Sequence, residues 1–340
     1  MSATSPATTA VPTPPRAKPQ PQPRRIGSQF DLLGECPLWD ERLQCLWWVD
    51  IRAPSLRCWM PNEHRPHARM RSLPPEGASA ASERPGAAEG LRTWPMPELV
   101  GSIALTERSG VVLVALRSRL ALFDTSNGRL DTVVDARLPD PEHRFNDGRC
   151  GRQGRFWVGT MHHVTRAPEG SLFRLDGNRL TEVIAGGLCI PNSMAFDPDG
   201  RRMYFADSLA HRIDVFDYDP ATGERSSEPR PFASIDKPAF PDGACIDAQG
   251  FLWSAQFHNA RIVRYAPDGS IDRTLDVPMK RPTCCTFGGA DFGTLYVTGV
   301  SHSMSDADRA ADPLAGALFA FDLGREWGIF GLPEPRWRAS

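Results

Sequence analysis

A short apolar or aromatic strand recurs six times along this 340-residue chain, and each time a particular position precedes it by eleven or twelve residues. Counted back from Trp47, Leu113, Trp157, Tyr204, Trp253 and Tyr296, those positions are Glu35, Gly101, Asn146, Asn192, Asp242 and Cys284. Around each apolar strand the same parts return. A short strand begins near the marked position, as in Pro37-Leu38-Trp39 or Met194-Ala195-Phe196. A turn such as Asp197-Pro198-Asp199-Gly200 follows, with the residues a tight hairpin needs. A third strand (Leu120–Phe123, Ile213–Phe216, Arg261–Tyr265) and a more variable fourth complete the unit. Four short antiparallel strands repeating about every 45 residues describe a propeller blade. The expected fold is therefore all-β: a six-bladed β-propeller around a central channel, with a site at one end of its axis. Strand spacing alone would also suit a β-sandwich, but the long repeat favours the propeller.

Two stretches fall outside the repeat. Residues 1–28, with Pro12, Pro14, Pro15, Pro19, Pro21 and Pro23, have little to bury and read as a disordered leader. They lack the apolar core of a secretory signal. A polar stretch at about 61–92 separates the first two repeats and reads as a surface insertion. This leaves a single propeller domain at 29–330 and a C-terminal tail at 331–340. A net charge of -2 gives no reason to expect a nucleic-acid partner. No apolar run is long enough for a membrane span. Eight scattered cysteines without C-x-x-C spacing fit reduced thiols and a cytoplasmic location.

Four of the six marked residues carry a hard oxygen donor: the carboxylates of Glu35 and Asp242 and the amides of Asn146 and Asn192. Taken singly, each is an ordinary turn cap. Four at one phase of a propeller repeat converge, and that donor set suits Ca²⁺, Mg²⁺ or Mn²⁺ and tolerates Zn²⁺ or Fe²⁺. Asp242 would also act as a general base if one of its oxygens stays free. Asp147 and Asp207 read as caps or as supports for the site. Glu98 reads as a solvated loop carboxylate and His143 as a solvated histidine.

The segments Gly34-Glu35-Cys36-Pro37-Leu38-Trp39, Arg144-Phe145-Asn146-Asp147-Gly148, Gly154–Met161, Pro191-Asn192-Ser193 and Pro241-Asp242-Gly243 resemble the gluconolactonase/regucalcin (senescence marker protein) family. Cys284-Cys285-Thr286-Phe287-Gly288-Gly289 is similar to a further segment, and the resemblance runs in order from about Phe30 to Phe321. It implies a six-bladed propeller in which Glu35, Asn192 and Asp242 hold one divalent metal, Asp242 is the base, and Arg144 and Asn146 contact substrate. The implied reaction is metal-dependent hydrolysis of a sugar lactone to the aldonic acid. A calcium-binding regulatory propeller, a protein-binding scaffold, and a propeller esterase or phosphotriesterase are the alternatives. No Gly-x-Ser-x-Gly elbow supports a serine nucleophile. Gly151 departs from the family's usual Asp, which would loosen that hairpin without touching the site. The loop His162-His163-Val164-Thr165 stands where some relatives have an acidic substrate contact, so substrate preference does not transfer; such histidines are ordinarily solvated.

Overall fold

The computed structural model describes residues 19–61 and 90–339. It contains six antiparallel sheets of four strands each. The inner strands are Gly34–Asp40, Val100–Leu105, His143–Cys150, Pro191–Phe196, Phe240–Ile246 and Pro282–Gly288, here numbered blades 1 to 6. Each inner strand touches the next, and blade 6 touches blade 1, so the ring closes. The expected six-bladed propeller is the observed fold.

The core is divided into six apolar wedges, one between each pair of neighbouring blades. Trp47, Trp94 and Ile103 pack between blades 1 and 2; Trp253, Phe287 and Phe321 pack between blades 5 and 6. This is why the aromatic residue of the second strand recurs: it fills the wedge against the following blade. Burying such a side chain is worth roughly 1.5–3 kcal/mol, and repetition around the ring stabilises a chain with no single central core.

The sixth blade takes its outer strand from the other end of the chain. Arg24–Ile26 pairs antiparallel with Leu318–Asp322, with Arg24 opposite Ala320. This corrects the leader boundary at residue 28, because the Arg-Arg-Ile segment follows the prolines and has every backbone amide free to pair. Ile26 is buried in the wedge between blades 6 and 1. Most of the stretch at about 61–92 lies outside the described residues, but Leu91 already opens the outer strand Leu91–Pro95 of blade 1.

The residues after 328 pack across one end of the channel. Ala248 donates its backbone N–H to the Phe330 carbonyl, and Trp337 donates to Leu105. The Glu334 carboxylate meets Arg149, which lies deep on the inner strand of blade 3, at 3.0 Å. Arg149 also donates to the Ala244 carbonyl of blade 5 at 2.8 Å. This end is sealed. Among the described residues, no helix is long and apolar enough to cross a membrane.

Candidate active site at the open end of the channel

Every inner strand carries one extra residue relative to its partner strand, and always near its start. In blade 1 the register slips between Glu35 and Leu38, in blade 2 between Val100 and Ser102, in blade 3 between Phe145 and Gly148. Blades 4, 5 and 6 slip between Asn192 and Ala195, between Pro241 and Ala244, and between Pro282 and Cys285. A bulge bends its strand and re-aims a side chain. Two bulge residues, Cys36 (φ 49°) and Ser193 (φ 55°), adopt the left-handed conformation immediately after Glu35 and Asn192. The repeat phase seen in the sequence is the phase of these bulges.

Glu35, Arg144, Asn146, Asn192 and Asp242 all line one cleft of about 270 Å³ at this open end. All five are buried. Three hydrogen bonds string four of them together across three blades. Arg144 Nη1 donates to Asn146 Oδ1, Asn146 Nδ2 to Asn192 Oδ1, and Asn192 Nδ2 to Asp242 Oδ1, each at 2.8 Å. The two ends fix the direction of this string, since a guanidinium only donates and a carboxylate only accepts. Asn192 Nδ2 also reaches the Ser208 hydroxyl at 2.9 Å, which in turn donates to the Pro241 carbonyl.

The acidic side of the cleft is short of positive charge. Burial, followed by the charges of Asp242 and Asp147, raises the Glu35 carboxyl well above its usual range. Burial and the Asp147 charge do the same to Asp242. Glu35 accepts the backbone N–H of Cys36 at 3.1 Å, and no ion pair neutralises either carboxylate among the described residues. Buried carboxylates facing each other are costly unless a cation joins them. A divalent ion between Glu35, Asp242 and the Asn192 carbonyl, which has a second lone pair, would remove that cost. The candidate set contains only two carboxylates; among the described residues no group of three or more His, Cys, Asp or Glu side chains is arranged to hold a metal.

The remaining marked positions have structural explanations. A Cβ on Gly101 would meet the Phe145 carbonyl oxygen at 2.4 Å, so blade 2 contributes close backbone approach and no side chain. Cys284 sits against Gly243, whose Cβ would lie 2.3 Å from its sulfur. Asp147 accepts the N–H groups of Gly148 and Met194, tying blade 3 to blade 4 behind the site. Asp207 accepts those of Cys189 and Ile190, as a turn cap does. Glu98 pairs with Arg119 at 3.0 Å. The hairpin at Gly151 is closed by backbone bonds from Gly151 to Arg155 and from Gly154 to Gly151, so it holds without the Asp. His143 is buried rather than solvated: it opens the inner strand directly opposite His162, the last residue of the second strand Phe156–His162, and the two rings meet edge-on. His163 lines the cleft.

Sequence reasoning missed Arg52, Arg166, Arg281, His258 and His302, which also line the cleft. They sit in connecting loops or immediately before a strand, where no repeat phase marks them.

A six-bladed propeller with an acid-and-amide cleft at its open end defines the class. Residues 33–301 match the family described as "SMP-30/Gluconolactonase/LRE-like region", and the chain belongs to that family. It is 36% identical over 305 residues to an L-arabinolactonase of Azospirillum brasilense, covering 88% of this chain and 92% of that one. It is 35% identical over 310 residues to a 6-deoxy-6-sulfogluconolactonase of Pseudomonas putida, covering 90% and 95%. The crystal structure of a calcium-binding protein, regucalcin, from Agrobacterium tumefaciens superposes with a TM-score of 0.81 at 26% identity, covering 94% of this chain and 98% of that one.

Proposed function

We propose that this protein is a metal-dependent lactonase that opens the ester ring of a sugar lactone to give the aldonic acid. The observation that carries the reading is the pair of buried, un-neutralised carboxylates at the end of a directed hydrogen-bond string, in a chain of this family. Glu35, Asn192 and Asp242 would hold one divalent cation, which when bound supplies Lewis-acid polarisation of the lactone carbonyl. Asp242 accepts the proton of the attacking water, and Asn192, donating to Asp242 Oδ1, holds that carboxylate in place. Asn146 and Arg144 orient the sugar. Arg144 spends Nη1 on Asn146 and the Phe145 carbonyl, and Nη2 remains for substrate hydroxyls. Burial, then the nearby Arg52, pulls its pKa down to about 10, so it stays cationic at neutral pH. Attack on the carbonyl and expulsion of the ring oxygen need no covalent enzyme intermediate.

Names of relatives support this reading, since lactonases recur among them. The Agrobacterium regucalcin is described as a calcium-binding protein, which supports a divalent ion without fixing its identity and favours one second reading, a regulatory calcium-binding propeller. Eight free cysteines, seven of them buried, support the cytoplasmic assignment. The test is a pH-indicator assay on pentono- and hexonolactones, corrected for spontaneous hydrolysis, with chelated and metal-restored protein. Metal-dependent acceleration is expected. Metal binding without acceleration of any lactone would move the protein to the regulatory reading.

A further inference from the structure

The rim of the open cleft is strongly basic. Arg52 comes from the turn after the second strand of blade 1, Arg166 from the corresponding loop of blade 3, and Arg281 from the residue before the inner strand of blade 6. With Arg144 they line the same space, alongside His163, His258 and His302. None of the four arginines has a carboxylate within ion-pair distance among the described residues, whereas Arg57, Arg149, Arg155 and Arg264 do. Arg144 is 5% exposed and its Nε has no hydrogen-bond partner; the buried Nε of Arg52 has none either.

The nearby carboxylates are committed elsewhere. Asp50 accepts the backbone N–H groups of Leu32, Leu33, Arg52 and Ala53 and pairs with Arg57. Asp308 caps the short helix α1 (Asp306–Ala311) through Ser305, Asp312 accepts the amide of Lys280, and Glu142 lies against His163. The basic groups also press on one another. Besides burial, Arg52 and Arg281 hold down the pKa of His302, and Arg281 and Lys280 hold down that of His258. A cation bound by Glu35 and Asp242 would balance their two charges and leave Arg52 and Arg166 uncompensated, while Arg281 is offset in part by the more distant Asp308 and Asp312. A second cleft of about 500 Å³ shares His258, Arg281 and Ser303 with the first and adds Lys280 together with Asp308 and Asp312, whose carboxylates are engaged by the Ser305 cap and the Lys280 amide; it gives room for the far end of a substrate.

We propose that the substrate is an anionic sugar lactone, whose carboxylate, phosphate or sulfonate is received by Arg52, Arg166 and Arg281 at the rim. The proposal rests on the lactonase reading for its reaction and on the rim for its charge. Fixed cations facing a cleft attract an anion from a distance and discriminate against neutral competitors.

Two measurements on the full-length, metal-loaded protein test it. Calorimetric titration compares gluconate with glucarate, 6-phosphogluconate and 6-deoxy-6-sulfogluconate, acids that differ in the charge at the far carbon. The second anion should tighten binding about tenfold or more, the preference should shrink with added salt, and R52Q, R166Q and R281Q should each reduce it, weakening the acids with a second anionic group by a larger factor than gluconate. Turnover of the matching lactones should follow the same order, through KM more than kcat, and the rank of carboxylate, phosphate and sulfonate identifies the group. Equal binding of gluconate and the acids that carry a second anionic group, or a preference that survives R52Q/R166Q/R281Q, overturns the proposal. Charge-selective binding with no lactone hydrolysed would sink the lactonase reading and leave the anion site standing.

Discussion

The inner strand of blade 3 holds two buried arginines five residues apart, and they meet opposite surroundings. Arg149, toward the sealed end, is met by both oxygens of Glu334 and by the Ala244 carbonyl. Despite the cost of its burial, the Glu334 charge raises its pKa well above the usual value. Arg144, toward the open end, has an amide and a carbonyl as hydrogen-bond partners and no ion-pair partner among the described residues; burial and Arg52 lower its pKa, and the Glu35 charge offsets this only in part. A buried ion whose partner is built in serves the fold, and one left without a counter-ion is stabilised only when something binds. The two ends of one channel differ by whether the protein supplies the second charge itself.

Four experiments sharpen or break that contrast. The largest effect is expected at Asp242: Asp242→Asn should lower kcat for a lactone by roughly 10³-fold with an unchanged circular dichroism spectrum. Wild-type turnover in metal-replete D242N would remove it as the base. At the sealed end, Arg149→Met strands the Glu334 carboxylate and should cost about 3–5 kcal/mol in urea unfolding, with activity per folded molecule retained. Arg144→Met is the mirror experiment. It should reduce kcat/KM by roughly 10–100-fold, the scale of a hydrogen bond to a charged group, and leave the unfolding midpoint unchanged or higher. If R144M and R149M destabilise alike, the two ends do not differ in kind.

The smallest effect concerns pH in chelated protein. Glu35 and Asp242 have folded-state pKa values raised above their unfolded ones, so the native state binds extra protons. Their contribution to stability is present below the unfolded carboxylate pKa and is lost as pH rises through the folded values. Chelated protein should therefore melt a few degrees lower at pH 8 than at pH 5 relative to metal-loaded protein. D242N, without one of the charges, should narrow the gap. A constant difference between chelated and loaded protein across that range would show that the carboxylates are not strained by each other.

Much of this was legible in the sequence, for a definite reason. The aromatic of each second strand fills an inter-blade wedge, and a period built on wedge-filling cannot drift without opening a void. The same period carried Glu35, Asn146, Asn192 and Asp242 to one cleft. What it could not show was the bulge at each inner strand, because one unpaired residue leaves no compositional trace. Arg52, Arg166 and Arg281 escaped because loop residues follow no period, so their convergence is visible only in space. The strand Arg24–Ile26 was obscured by the prolines before it, and its partner lies nearly a whole chain away.

That partnership bears on how the molecule is made. Arg24–Ile26 leaves the ribosome before any blade, yet its place beside Leu318–Asp322 does not exist until the last strand of the sixth blade has emerged. During synthesis the first five blades can assemble in order, but the ring stays an open arc with an uncovered apolar blade face at each side of the gap, and Leu318–Asp322 has an unpaired edge until Arg24–Ile26 joins it. Closure is a single late event over the longest sequence separation of any strand pairing among the described residues, the kind of contact that forms slowly. Until it happens Ile26, Trp39 and Tyr296 have no complete wedge to fill.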